Sequence, residues 1–108
     1  MRIELLYFEG CPSYAELLPR LRELIAAEGI DEGVELHRVE TAEQAEREHF
    51  LGSPTVRIDG EDVDPKAKDR DEFGLECRLY RTDQGLMRTP PDDWIRAALR
   101  RYSRSVPG

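Results

Sequence analysis

The chain has 108 residues, 36% of them charged, with a formal net charge of −7 at pH 7. That length suits a single domain, the acidic balance argues against nucleic acid as a partner, and no apolar run is long enough to cross a membrane. Met1-Arg2-Ile3-Glu4 opens no signal-like apolar core, and two cysteines are too few for a disulfide-stapled secreted fold, so the expected setting is cytoplasmic.

Ile3 to Phe8 is dense in strand formers and ends at Gly10, which predicts a central strand buried on both faces. Pro12 suits the first position of the helix that follows. Tyr14, Leu17, Leu18, Leu21, Leu24 and Ile25 fall on one face of that helix, Pro19 predicts a kink in it, and Gly29 ends it. Val34 to Val39 reads as a second strand, parallel to the first because a helix connects them. Thr41-Ala42-Glu43-Gln44 is a capping-box pattern that opens a short helix to about His49, with Ala42, Ala45 and Phe50 toward the interior.

Gly52-Ser53-Pro54 leads into a third strand, Thr55 to Asp59. The charged stretch from Glu61 to Glu72 reads as a long loop. Glu76 to Arg81 alternates, with Cys77 and Leu79 on one face and Arg78 and Tyr80 on the other. It is predicted to be the fourth strand, antiparallel to the third at the sheet edge. Thr82-Asp83-Gln84-Gly85 is a turn. Thr89 and Pro90 are placed at the start of a last helix whose Trp94, Ile95, Ala98, Leu99 and Tyr102 line one face. One domain is therefore expected over 1–102, with a frayed tail over 103–108. The order β-α-β-α-β-β-α implies an α/β fold with a mixed four-stranded sheet and flanking helices.

That order resembles the thioredoxin-like superfamily in its minimal, glutaredoxin-sized form, on Gly10-Cys11-Pro12 after strand one, Pro19 in the first helix and Ser53-Pro54-Thr55 before strand three. With Gly74-Leu75-Glu76-Cys77-Arg78-Leu79-Tyr80 added, it is similar to small bacterial thioredoxin-family proteins described as alkylmercury-lyase-like. The resemblance implies that Cys11 is the catalytic thiol and that Ser53–Pro54 is cis. It also implies that Pro12, Ser53, Pro54 and Thr55 bind substrate, with the backbone of Ser53 open to a bound peptide or glutathione. This chain departs from the C-x-x-C motif at Tyr14, where a second cysteine would stand.

A thiol at a helix N-terminus faces unpaired N–H groups that favour the reactive thiolate, while Glu9 nearby opposes it. Cys11 is therefore expected in an electropositive nook open to solvent. One-thiol disulfide exchange would follow, with a protein thiol or glutathione as external partner and co-substrate and no bound cofactor. Cys77 reads first as a small buried hydrophobe starting far from Cys11. The sharper alternative makes it a resolving thiol or, with Cys11, a site for a soft metal or organomercurial. Tyr14 is expected to pack near the site. His37, His49 and the acids Asp59, Glu61, Asp62 and Asp64 lack metal-ligand spacing, so no hard-metal site is expected. A third reading keeps the fold without the chemistry, as an interaction module that pairs into a homodimer through an incompletely covered sheet face.

Overall fold

The structure is a computed structural model and describes residues 1–104. Its elements are β1 (Ile3–Tyr7), α1 (Ser13–Ala27), β2 (Val34–Arg38), α2 (Ala42–Arg47), β3 (Thr55–Ile58), β4 (Glu61–Asp62), β5 (Tyr80–Thr82), β6 (Gly85–Met87) and α3 (Asp92–Arg104). A single 3₁₀ turn, Ala67–Asp69, interrupts the long loop. Four strands form a mixed sheet in the order β2-β1-β3-β4, giving the α/β class expected. β1 pairs parallel with β2 from Ile3↔Val34 to Tyr7↔Arg38 and antiparallel with β3 from Ile3↔Ile58 to Leu6↔Thr55.

β1 is central because Ile3, Leu5 and Leu6 are all buried, which a strand covered on both faces requires. On one face, Ile3, Leu5, Val56 and Ile58 pack against Leu17, Leu21, Leu24 and Ile25 of α1 and Ile95, Ala98 and Leu99 of α3. On the other, Leu6 meets Val39, Ala45 and Phe50 beside α2. Each such large apolar side chain contributes about 1.5–3 kcal/mol on burial. Half of the capping box at α2 forms: Gln44 N–H donates to Thr41 Oγ1 at 3.0 Å, while the Gln44 side chain accepts from the N–H of Glu40, one residue before the cap, at 2.9 Å. α2 is shorter than expected, ending at Arg47, and Ala42 is exposed.

Three sequence expectations change. The fourth strand is β4, not residues 76–81. Asp59 and Gly60, with φ of 51° and 85°, form a two-residue turn that folds Glu61–Asp62 straight back on β3 in the register Arg57↔Asp62. Paired positive φ values match the right-handed strand twist, and Asp-Gly is a strong hairpin signal. Residues 80–82 instead pair with 85–87 in a separate hairpin. Arg78 and Tyr80 point inward, while Leu79 is 50% exposed, so the alternation is right in period and inverted in face. At the last helix, Thr89 and Pro90 precede rather than cap α3: the Trp94 and Ile95 N–H groups reach the Pro91 carbonyl, and Thr89 Oγ1 accepts from Arg20. Residues 103 and 104 of the expected tail continue α3, and 105–108 lie outside the described residues.

Candidate functional site

Cys11 sits where β1 hands over to α1. Gly10, at φ 110°, turns the chain, and Pro12 occupies the helix cap with near-helical angles, so the helix starts at Ser13, one residue later than the sequence suggested. The Cys11 side chain does not stand open to solvent, as expected from a helix N-terminus. It is buried, with 1% exposure, and its Sγ lies 3.5 Å from the carbonyl oxygen of Ser53. The Ser53–Pro54 peptide is cis, as expected. The sulfur thus faces the proline bend, but something covers it.

The cover is residues 74–78. Gly74 N–H donates to the Phe50 carbonyl at 3.0 Å, Ser53 N–H to the Glu76 carbonyl at 2.8 Å, and Arg78 N–H to the Ser53 carbonyl at 2.9 Å. Ser53 and Cys77 form a parallel β-bridge. Both backbone groups of Ser53 are therefore taken by the chain itself and not left open for a peptide or glutathione. Cys77 is neither a buried hydrophobe nor remote: it is exposed, and its Sγ is 3.2 Å from that of Cys11.

Gly52 makes this approach feasible. Its φ is 124°, and a Cβ there would stand 2.9 Å from the Glu76 carbonyl oxygen and 3.1 Å from the Arg78 Cα. Both neighbours are backbone, so they cannot swing aside. Gly52→Ala is expected to cost about 1–3 kcal/mol from the backbone conformation alone, read by urea unfolding. An unchanged midpoint would contradict the close approach.

Arg78 anchors the cover. Its side chain has no exposure, and its guanidinium donates to Thr55 Oγ1 at 3.0 Å, to both oxygens of Asp62 at 2.7 and 3.2 Å, and to Asp64 Oδ2 at 3.3 Å. It also lies 4.3 Å from the centre of the Tyr80 ring, whose hydroxyl donates to the Pro54 carbonyl. Burying an arginine is tolerable only with such matched acceptors. Asp62 and Asp64, two of the four acids singled out in the sequence, are its counterions. Burial pushes the Tyr80 phenol well above its ordinary range.

Burial also opposes charge on Cys11, but hydrogen bonds outweigh it. The Cys77 S–H, the Ser13 backbone N–H and the hydroxyls of Ser53 and Ser13 all favour the thiolate, so Cys11 titrates below the ordinary thiol value. The Ser53 hydroxyl is buried and, among the described residues, has no hydrogen-bond partner of its own, which leaves it available to a charged sulfur. Cys77 titrates above its ordinary value, first because it donates to Cys11, then through burial and the nearby Cys11 charge, with Arg88 acting the other way. Of the two sulfurs, Cys11 is therefore the one that loses its proton first as pH rises.

Since folding lowers the Cys11 titration, its contribution to stability is present above the unfolded thiol range and is lost as pH falls through the lowered folded value. Cys77→Ala is expected to move the Cys11 titration upward, followed as thiolate ultraviolet absorbance against pH. An unmoved curve would mean that the Cys77 hydrogen bond does not hold the charge.

The remaining predicted site residues divide. Pro12 is exposed beside the cysteine. Pro54 and Thr55 are buried, and the Thr55 hydroxyl donates to the Gly52 carbonyl at 2.7 Å while accepting from Arg78, so it supports the bend from inside. Tyr14 stacks on Tyr7 at 4.1 Å between ring centres. Glu9 is paired with Arg38, which offsets its opposition to the thiolate. His37 contacts Glu4 and His49 stacks on Phe73. Among the described residues no group of three or more His, Cys, Asp or Glu side chains is placed to hold a metal, and no helix is long and apolar enough to cross a membrane. Sequence reading missed Ser13, Arg78 and the roles of Asp62 and Asp64. The Asp-Gly turn at 59–60, which aims both acids back along β3, was the available clue. Comparison with known protein families, curated proteins and solved structures found no match for this chain.

Proposed function

We propose that this is a thioredoxin-like thiol–disulfide exchange domain whose redox pair is Cys11 and Cys77. The observation that carries the reading is the 3.2 Å separation of the two sulfurs, one of them favoured as thiolate. A disulfide forms at about 2.05 Å, so from 3.2 Å the two sulfurs need to approach by only about 1.1 Å. Support for the fold assignment comes from the sheet order β2-β1-β3-β4, a cysteine opening α1 and a cis-proline ahead of β3. The pairing gives an internal resolving thiol, which replaces the external one a single-cysteine scheme would need. In the oxidising direction the protein dithiol and an external disulfide yield the Cys11–Cys77 disulfide and two external thiols, with electrons and sulfurs conserved.

Equilibration with oxidised glutathione followed by intact mass measurement tests this. The wild-type protein is expected to lose two hydrogens, and Cys11→Ser and Cys77→Ser are not. Two free thiols persisting in the wild type across oxidising glutathione buffers would overturn the proposal.

A second reading rests on the same separation: two sulfurs this close can converge on one soft cation. Mercuric ion binding at one per chain, lost in either serine variant, is its expected signature. Binding that survives both substitutions would exclude it.

A further inference from the structure

We propose that the external sulfur bonds to Cys77, and that Cys11 serves only as the buried resolving and leaving thiolate. This rests on the reading of the two cysteines as a redox pair, and it reverses the order implied by the sequence, in which Cys11 receives the partner.

Thiol–disulfide exchange is a displacement at sulfur, and the incoming group must reach the attacked atom in line with the bond that breaks. Cys11 is 1% exposed, beneath residues 74–78 and against the Ser53 carbonyl, whereas Cys77 is exposed. The backbone groups of Ser53 that would seat a partner beside Cys11 are bonded to Glu76 and Arg78. Cys77 is thus the member of the pair that meets solvent, and its Sγ lies 3.2 Å from that of Cys11.

The chemistry balances along this route. The Cys77 proton passes to the Cys11 sulfur it already faces. The Cys77 thiolate, with the positive charge of Arg88 nearby, attacks an external disulfide RS–SR, forming Cys77–S–SR and expelling RS⁻. Cys11 then loses its proton to the medium, helped by the Ser13 N–H and the Ser53 hydroxyl. Its thiolate attacks Cys77 Sγ, forming the internal disulfide and expelling the second RS⁻. In reverse, an external thiolate attacks Cys77 Sγ and Cys11 leaves. A thiol of low pKa is the better leaving group, so the buried sulfur is suited to that role by the same hydrogen bonds.

Oxidised glutathione serves as the probe. The Cys11→Ser variant is expected to gain one glutathionyl group under native conditions. Cys77→Ser is expected to do so at least about tenfold more slowly, and to catch up in denaturant. A Cys77→Ser variant that reacts as fast as Cys11→Ser in the native state overturns the proposal. A second measurement needs no substitution: the oxidised wild-type protein is exposed briefly to reduced glutathione, acid-quenched and peptide-mapped. A glutathionyl group on Cys77 supports the assignment and one on Cys11 refutes it. Failure of the wild type to form the internal disulfide would instead defeat the redox-pair reading, so the two failures are distinct.

Discussion

Replacing Arg78 with alanine is expected to destabilise the domain by about 3–5 kcal/mol, the range for breaking a buried ion pair from one side. The loss is not that of an ordinary surface contact, because the guanidinium has no exposure and Asp64 only 7%. Without it, two carboxylates and the Thr55 hydroxyl lose a donor that water reaches poorly, and the Tyr80 ring loses the cation over its face. Arg78→Lys should recover part of the loss, since it keeps the charge but cannot bridge Thr55, Asp62 and Asp64 with one planar fork.

Replacing the acids as well should recover more. In Arg78→Met, substituting Asp62 and Asp64 by asparagine removes the uncompensated charge, and the deficit should be less than additive. Urea unfolding of the reduced protein measures each step. A cost below about 1 kcal/mol for Arg78→Ala would show that the cluster is hydrated and not an anchor. Because Arg78 is the residue after Cys77, its loss should also slow internal disulfide formation. Arg78→Lys should recover that rate in part, in step with its partial recovery of stability.

Closing the Cys11–Cys77 disulfide is expected to stabilise the fold by about 4 kcal/mol, because it joins cysteines 66 residues apart and restricts the unfolded chain accordingly. For a domain of this size that corresponds to a rise in Tm on the order of 15 °C. Thermal unfolding of the oxidised and reduced wild-type protein measures it directly. By linkage, the same energy means that folding favours the internal disulfide by about a thousandfold over the unfolded chain. Reduced protein in denaturant should therefore oxidise only in more strongly oxidising glutathione mixtures than the native protein needs. Equal Tm values in the two redox states would mean that the native geometry is strained enough by the bond to cancel the gain, contrary to a separation of 3.2 Å.

Local pattern alone determined much of this protein. The strand formers of Ile3–Phe8, apolar except for Glu4, demanded a strand covered on both faces, and the 3.6-residue spacing of Leu17, Leu21, Leu24 and Ile25 set the buried face of α1. Thr41 and Gln44 capped α2, and the strand–helix–strand order made β1 and β2 parallel. Cys11 at the strand-to-helix junction was legible for the same reason, since its surroundings come from neighbours in sequence. Parity in residues 76–80 was legible too, but parity does not say which face is inside. An apolar side chain normally settles that, and here it misleads: Leu79 is exposed while Arg78 is buried. The inversion is stable only because Asp62 and Asp64, held by the Asp59-Gly60 turn, meet the guanidinium from another part of the chain. Tertiary structure alone therefore decided where residues 74–78 cross. That crossing buries Cys11, occupies Ser53 and brings Cys77 to the first cysteine, because hydrogen bonding and charge pairing between distant segments leave no periodic trace in either one.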